Sequence, residues 1–389
     1  MRKYWTAFRQ VFERELAGII RDKDILIIIL LSPLFYGFFY GTVYLNKAEA
    51  EIPILVVDRD HSATSRLLIR SLDAHQMLQV RGVVTDPGEA RKELESWRVQ
   101  GVFYIPADFQ NQLKHKKGAV VQTWLNASKF LVANDLNKAI SHVTATLGAG
   151  IKWRYLKGEG IHPRQAMARL EPLNGDIRSF FNPAETYGDF ILPGILILII
   201  QQTLLIGLAE SVAKERESDT VTEWYNSGNR NILVVIWGKM GFYLLLYASY
   251  AALFFTLHFQ LFKIPFAGSA IAAAFLTLLY LLALGLAIVF IGSFFKKKIE
   301  AFLMLVFTSY PLFLLSGFSW PLRSMPFYLR GLSGLLPGTP YLLAMDRVSL
   351  MGAGVGEVLP EVAHLLGLAL FWGLLAAWRV KRMAGETLR

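Results

Sequence analysis

The sequence predicts an α-helical integral membrane protein with six transmembrane helices, further re-entrant or interfacial helices and an extracytoplasmic α/β domain. Three observations predict this class. Several apolar runs reach about 20 residues, the length that a helix needs to cross a bilayer. The chain is 54% hydrophobic with a mean hydropathy of +0.39, which is not typical of a soluble protein. The region 46–187, between the first two apolar runs, instead alternates short strand and helix patterns.

The charge balance and the cysteine content restrict the function classes. The 389 residues carry a formal net charge of +10, a basic excess that is also found in nucleic-acid-binding proteins. In a membrane protein, however, Lys and Arg collect in cytoplasmic loops, so we expect no nucleic-acid partner. The chain has no cysteine, which excludes disulfides, thiol catalysis and Cys-ligated metals and leaves the redox compartment undetermined.

Residues 1–24 predict an amphipathic helix that lies on the cytoplasmic surface of the membrane. Trp5, Phe8 and Phe12 recur at helical spacing, while basic residues such as Arg9 occupy the remaining arc. A solvated N-terminal helix is the alternative. Residues 25–45 predict the first transmembrane helix. This run is longer than the roughly 7–15 apolar residues of a signal peptide, so we expect an uncleaved anchor with a cytoplasmic N-terminus.

The region 46–187 predicts the α/β domain. The predicted strands are 52–57, 77–84, 99–105 and 119–125. Helical patterns at 62–74 and 87–98 lie between them, with Ser62 and Asp86 as candidate N-caps. A long helical stretch at about 129–156 leads back towards the membrane. The histidines of this region do not have metal-ligand spacing, so we predict no metal site.

Residues 188–389 predict the rest of the transmembrane domain. The remaining predicted spans are 190–208, 234–262, 268–295, 301–315 and 360–378. Residues 316–356 are too rich in Pro and Gly for one helix and too apolar for a free loop, which favours short re-entrant or interfacial helices on the outer side. Basic residues at 296–298 and after the last span predict cytoplasmic turns. We therefore expect a multi-pass inner-membrane protein with both termini in the cytoplasm and 46–187 outside. The basic residues of the C-terminus are Arg379, Lys381, Arg382 and Arg389.

Motifs for catalysis are absent from the sequence. No GxxxxGK[ST] occurs, so the chain cannot itself be a P-loop ATPase, and the absence of GxSxG weakens a hydrolase interpretation. Few ionisable residues fall within the predicted spans. Lys239 is near a helix end, where its side chain is expected to extend to the membrane surface, and Glu300 is at another helix end. An ion-coupled transporter usually needs buried acids, so this class is also disfavoured.

A dense charge cluster follows the second span, within 210–231. These side chains cannot remain in lipid, so the helix must leave the membrane here and can present a surface to a cytoplasmic partner. A solvated turn is the alternative. The predicted partner-contact residues are Lys214, Glu215, Arg216, Glu217, Asp219, Thr220, Glu223 and Trp224.

Three segments of the chain resemble permease subunits of type-2 ATP-binding-cassette (ABC) exporters, in particular the subgroup with a large external domain between the first two spans. Residues 181–194 resemble that subgroup's NP…Y…PG approach to the second span. Residues 213–224 resemble its E-R-E-x-G-T-x-E-x-L coupling segment, although Asp219 stands where the family usually has Gly. Residues 316–341 resemble its SG…P…MP…LP…Y segment. The matching positions are Asn182, Pro183, Tyr187, Pro193, Gly194, Gly317, Pro321, Met325, Pro326 and Pro337.

The resemblance implies a half-transporter without an ATPase of its own. Two permeases, identical or sister chains, would form the membrane pathway for an amphiphilic substrate such as a drug or a lipid. Two cytoplasmic ATPase subunits, which bind ATP and Mg, would grip the coupling segment and the N-terminal helix at Trp5, Phe8, Arg9 and Phe12. The large external domain is compatible with a periplasmic adaptor, and the aromatic residues near the outer side are compatible with membrane lipid. This chain would need no cofactor.

Two other classes fit parts of the sequence. A membrane-anchored sensor or scaffold would explain the external domain, which would then bind a ligand or an envelope partner, but it does not require six spans. An intramembrane enzyme would need clustered Asp, Glu, His or Ser residues within the spans, and the sequence shows no such cluster.

Overall fold

The computed structural model describes residues 2–47, 49–162, 164–166, 178–183 and 185–387. The chain forms two compact units, one of Met1–Lys47 with Ser179–Arg389 and the other of Ala48–Arg178. Residues 167–177 of the predicted α/β domain and the predicted basic C-terminal Arg389 lie outside the described residues.

The first unit consists of helices. Its longer helices are α1 (Arg2–Arg21), α2 (Lys23–Val43), α7 (Tyr187–Glu217), α9 (Ile232–Leu261), α10 (Ala270–Gly292), α11 (Lys298–Leu315) and α14 (Leu359–Thr387). Its shorter helices are α8 (Val221–Ser227), α12 (Phe327–Ser333) and α13 (Gly338–Ser349). The second unit contains α3 to α6, which are described below with their sheet. Helices α2 and α9 each include one π-helical turn, at Ile27–Leu31 and Phe254–His258.

Six of the described helices are long and apolar enough to cross a membrane, which is the number predicted. They are α2, α7, α9, α10, α11 and the helix that includes α14. The second of these was predicted to end at 208, but it continues to Glu217. The extension is rich in Ala, Glu, Lys and Arg, which are strong helix formers. The charged residues that follow the apolar run therefore belong to the same rigid helix.

Helix α7 is the centre of the first unit. In its most apolar stretch 89% of the residues are buried by the rest of the chain, compared with 17% in α11. It packs against α2, α9, α10 and α11, and most of its apolar side chains join one continuous core. The exposed faces of α2 and α11 are apolar, as expected for surfaces that contact lipid.

Helix α1 packs along α9. Ala7, Val11 and Ile19 are buried, and the two helices approach closely at Gly238, where a Cβ atom would lie 2.6 Å from the Cβ of Val11. The predicted aromatic stripe lies beside this buried face, because Phe8 and Phe12 are half-buried and Trp5 is 68% exposed. The contact of the aromatic stripe with the membrane surface stays a prediction.

The second unit has a four-stranded sheet in the order β2-β1-β3-β4. Strands β1, β2 and β3 are parallel, and β4 pairs antiparallel with β3. The strands are β1 (Ile52–Asp58), β2 (Leu78–Val84), β3 (Gly101–Ile105) and β4 (Gln122–Leu125). The helices are α3 (Ala63–Asp73), α4 (Pro87–Glu95), α5 (Phe109–Lys114) and α6 (Phe130–Gly158).

Both predicted helix caps of this unit are confirmed. The Ser62 hydroxyl accepts the N–H of Ser65, and the Asp86 carboxylate accepts the N–H of Gly88, each at 3.0 Å. Helix α5 was not predicted, since its six residues are too few for a periodic pattern. The side of the membrane on which the sheet lies stays a prediction.

Candidate functional site

A fully buried lysine lies where α1, α7 and α9 meet. The side chain of Lys239 is 1% exposed, and its Nζ donates to Oε2 of Glu15 at 2.6 Å and to Oε1 of Glu215 at 2.9 Å. The prediction that Lys239 extends to the membrane surface was wrong. The side chain points inward because two carboxylates from neighbouring helices are available there, and they compensate for the loss of water.

Arg14 completes a neutral group of two acids and two bases. Its Nη1 and Nη2 donate to the two carboxylate oxygens of Glu215 at 2.9 and 2.8 Å, a bidentate arrangement that fixes both side chains. We refer to Arg14, Glu15, Glu215 and Lys239 as the charge cluster. It ties α1, α7 and α9 to one another.

Hydroxyl groups add further hydrogen bonds to both carboxylates of the charge cluster. The hydroxyls of Tyr243 and Ser211 donate to Oε1 of Glu15, the first at 3.1 Å. The Thr220 hydroxyl donates to Oε2 of Glu215 at 2.6 Å. Buried charges are tolerated when they are both paired and hydrogen-bonded, and Glu15 and Glu215 meet both conditions.

Trp224 closes one side of the charge cluster. Its indole is buried, and the Lys239 ammonium lies 4.9 Å from the ring centroid, within cation–π range. This corrects the prediction for two residues. Glu215 and Trp224 were expected to contact a partner, but their side chains are buried among helices of this chain and hold α8 against the charge cluster.

A second group of ion pairs surrounds Asp22, just before α2. Nζ of Lys214 lies 2.8 Å from Oδ2 of Asp22, and Nζ of Lys298 lies 3.2 Å from the same oxygen. Lys298 also pairs with Asp24 at 3.0 Å. The group therefore joins the starts of α2 and α11 to the end of α7.

Asp22 is expected to make stability depend on pH. Burial alone would raise the pKa of this carboxyl, but ion pairs with Lys214 and Lys298 outweigh it and hold the pKa below the usual 3.8. A depressed pKa stabilises the fold above 3.8, and this stability is lost as the pH falls through the folded-state value. We expect Asp22→Asn to lower the free energy of unfolding by about 1–3 kcal/mol near neutral pH and by less below pH 3.8.

Thermal unfolding in detergent at several pH values would check this expectation. Asparagine keeps the N-cap that Asp22 provides to the N–H of Ile25, so the variant removes mainly the charge. Asp24→Asn is the matched control, since Asp24 is 73% exposed and, among the described residues, pairs with Lys298 and no other cation. Equal losses in the two variants, or a loss by Asp22→Asn that is independent of pH, would contradict the assignment.

The end of α7 also binds the connection between α10 and α11. Nη1 of Arg216 donates to the carbonyl oxygens of Ser293 and Phe294 at 3.0 and 3.3 Å. The Glu217 carboxylate accepts the N–H of Lys298 at 2.9 Å. Motion of this end of α7 would therefore be transmitted to several helices together.

Three of the predicted partner-contact residues remain exposed: Glu217, Asp219 and Glu223. Asp219 has φ = 54°, in the left-handed region. Glycine adopts this region without steric cost, which agrees with the glycine that the resemblance implied at this position. Aspartate is one of the few other residues that tolerate it, so the turn is kept.

The predicted approach to the second span is held by short polar contacts. The Asn182 side chain accepts the N–H of Thr186 at 3.2 Å and donates to its carbonyl at 2.9 Å. Lys47 pairs with Asp189 at 2.6 Å, and the ring of Tyr187 lies 6.1 Å from that of Tyr44. The end of α2 is thereby attached to the start of α7. Pro183 lies in the turn before α7.

The start of α7 meets the segment 316–356 at Gly194. A Cβ atom there would lie 2.1 Å from Cε1 of Phe318, whose ring stacks on Phe190 at 5.3 Å. Gly317, the residue before Phe318, has φ = 84°, a backbone conformation that favours glycine. We call Phe190, Gly194 and Phe318 the aromatic junction. It brings together two segments that the sequence singled out separately.

The segment 316–356 forms short helices, as predicted. A 3-10 turn at Leu322–Ser324 is followed by α12, α13 and a second 3-10 turn at Val355–Val358. Pro321, Pro326 and Pro337 each immediately precede one of these pieces, where a missing N–H costs nothing. Met325 is buried, and Pro193 lies buried inside α7.

The profile of the ABC-2 family transporter proteins matches residues 23–378 of this chain. The chain belongs to this family. It is 25% identical over 345 residues to the probable multidrug ABC transporter permease YbhR of Escherichia coli K12, covering 86% of each chain. It is 23% identical over 388 residues to the probable multidrug ABC transporter permease YbhS of the same strain, covering 97% of each. It is also 23% identical to ABC transporter G family member 20 of Dictyostelium discoideum, covering 92% of this chain and 48% of that protein.

The chain is therefore a multi-pass ABC-2 permease, and the predicted resemblance is confirmed at the level of the type-2 permease family. Sequence reasoning predicted no ion-pairing role for five residues of these groups: Arg14, Glu15, Asp22, Asp24 and Lys298. One signal for Glu15 was present. It is four residues from both Val11 and Ile19, so an acid occupies the buried face of α1.

Proposed function

We propose that this ABC-2 permease forms the membrane pathway of an exporter and couples ATP hydrolysis in partner subunits to outward transport of an amphiphilic substrate. The observation that carries the proposal is the contact of Lys239 with both Glu15 and Glu215. Because of these contacts, we expect α1 and the charged end of α7 to move together as one rigid body. A displacement of either helix by a partner would therefore also displace α7, the buried central helix of the first unit.

The exposed part of the coupling segment is the proposed contact with the ATPase subunits. Glu217, Asp219 and Glu223 are exposed and would contact a partner, whereas the buried Glu215 and Trp224 would transmit the motion. The N-terminal helix would contribute the exposed Trp5 and Arg9, next to the half-buried rings of Phe8 and Phe12. Two cytoplasmic ATPase subunits, which bind ATP and Mg, would then contact each pair of permeases at these surfaces.

The substrate class is supported by aromatic side chains and by the relatives. Trp320, Phe327 and Tyr328, in the segment 316–356, are exposed, and such rings suit an amphiphile. The two relatives from E. coli are named probable multidrug permeases. A second permease copy or a sister chain would complete the pathway along the apolar faces of α2 and α11. An adaptor protein would bind outside the membrane.

Two variants separate partner binding from coupling. We expect Glu217→Gln with Asp219→Asn and Glu223→Gln to lower the amount of copurifying ATP-binding subunit about tenfold or more, because each lost interface contact costs over about 1 kcal/mol. Glutamine at 217 can still accept the N–H of Lys298, and asparagine tolerates the left-handed backbone at 219. We expect Lys239→Met with Glu15→Gln to retain the subunit but to lower the ATPase activity of the eluate relative to the wild type. A pull-down in mild detergent with an ATPase assay on the eluate measures both quantities.

The matched control replaces exposed acids of the α/β unit, at Glu49, Glu89 and Glu95, by glutamine. It should copurify and hydrolyse ATP like the wild type. If the wild-type chain elutes without any ATP-binding subunit and without ATPase activity in every detergent, the sensor or scaffold function would replace the exporter proposal. The external domain would then be the place to search for a ligand.

A further inference from the structure

A pocket of about 360 Å³ lies between α3 and α6 of the α/β unit. Its walls are mostly aliphatic, from Leu67 on α3 and from Val143, Leu147 and Ile151 on α6. Val143 belongs to the buried core of this unit, so the pocket reaches from the surface to the core. Its volume lies within the range of small-molecule sites, roughly 300–1,000 Å³.

The polar groups of the pocket are all neutral or positive. Besides Ser71 and Thr146, it is lined by His75, His142 and Arg154. The two imidazole rings lie 6.0 Å apart. Nδ1 of His75 accepts the N–H of Met77 at 3.2 Å, so a neutral ring carries its proton on Nε2 and can donate from there.

Among the residues that the structure describes, none that lines the pocket has a carboxylate. The sequence of α6 contains no acidic residue after Asp135, although it carries several basic ones. Within the described part of the chain Arg154 forms no ion pair and is exposed, so its guanidinium is available at the rim. A guanidinium with two imidazoles beside an aliphatic cavity is complementary to a molecule with an anionic head and an apolar tail.

We propose that this pocket binds a single-chain amphiphile with an anionic head group, either a carboxylate or a phosphate. The alkyl chain fills the aliphatic cavity between Leu67, Leu147 and Ile151. The head group contacts Arg154 and the histidine donors. The site lies entirely within the α/β unit and does not depend on the charge cluster, so it is a second binding site beyond the transport pathway.

A large side chain at Gly150 can be used to fill the pocket. It lines the cavity, and a Cβ atom on it would meet no heavy atom within 4 Å. We expect Gly150→Phe to fill the cavity without displacing α6. Gly148 also has open space around it but does not line the pocket, so Gly148→Phe is the matched control for helix propensity and added bulk.

The test is photolabelling of the full chain in nanodiscs of zwitterionic lipid, without ATP or partner subunits. The probe is a diazirine analogue of dodecanoic acid, and labelled peptides are mapped by mass spectrometry. We expect saturable labelling of α3 and α6 that dodecanoate or dodecyl phosphate suppresses and that dodecyltrimethylammonium does not. Which of the two anions competes at lower concentration identifies the head group.

Variants complete the test. Gly150→Phe and Arg154→Gln are each expected to reduce labelling about tenfold or more, since a lost hydrogen bond to a charge costs about 1.5–3 kcal/mol. Gly148→Phe and Lys152→Gln should label like the wild type. Equal competition by the cationic amphiphile, or unchanged labelling in both pocket variants, would overturn the proposal. Because the assay contains no ATPase, its failure would leave the proposed coupling function unaffected.

Discussion

Lys239→Met is expected to lower the free energy of unfolding by about 3–5 kcal/mol, the usual cost of removing one partner from a buried ion pair. Methionine approximates the shape of lysine, so the loss comes from charge. With Lys239 present the charge cluster is neutral; without it one uncompensated negative charge remains. Glu215 keeps its bidentate contact with Arg14. Glu15 keeps the hydroxyls of Tyr243 and Ser211 and no cation among the described residues.

Restoring neutrality should recover much of this stability. In Lys239→Met with Glu15→Gln, the remaining pair of Arg14 and Glu215 is balanced, and the amide can still accept from the Tyr243 hydroxyl. Lys297→Met is the control for an exposed lysine and should change stability by less than about 0.5 kcal/mol. Thermal unfolding followed by tryptophan fluorescence in detergent would measure all three. A double variant that is less stable than Lys239→Met would show that packing, not charge balance, determines the loss.

The overall fold followed from local signals in the sequence. Apolar runs of bilayer length predicted the six long helices, since length and hydropathy are properties of a segment alone. Alternating patterns and the caps at Ser62 and Asp86 predicted the α/β unit in the same way. The short helix α5 has neither a periodic pattern nor a side-chain cap, and it was missed.

The candidate site followed only in part. The sequence predicted that residues 214–224 are charged and leave the membrane, but it could not predict which side chains turn inward. Glu15 and Glu215 are 200 residues apart in the chain, and their shared partner Lys239 lies on a third helix. A charge beside an apolar run predicts an exposed position unless its partners are known. Those partners exist only once α1, α7 and α9 have packed.

The second large effect is expected at the aromatic junction. Gly194→Leu should lower the free energy of unfolding by about 3 kcal/mol, because even a Cβ atom would lie 2.1 Å from the Phe318 ring. The ring has little room to move, since it stacks on Phe190 at 5.3 Å and lies 6.1 Å from Phe313. Copurification of the proposed ATPase subunit should be unchanged, because Gly194 lies at the opposite end of α7 from the exposed acids. Thermal unfolding and a pull-down measure the two effects.

Two further variants show whether the close approach itself is responsible. Phe318→Ala removes the obstructing ring, so Gly194→Leu with Phe318→Ala should be more stable than Gly194→Leu alone. Gly367→Leu is the matched control on α14, where a Cβ atom would meet nothing within 4 Å. Leucine is a better helix former than glycine, so this control should be neutral or slightly stabilising. A loss of stability in Gly367→Leu equal to that in Gly194→Leu would mean that both helices need glycine for another reason, and the aromatic junction would not explain the effect.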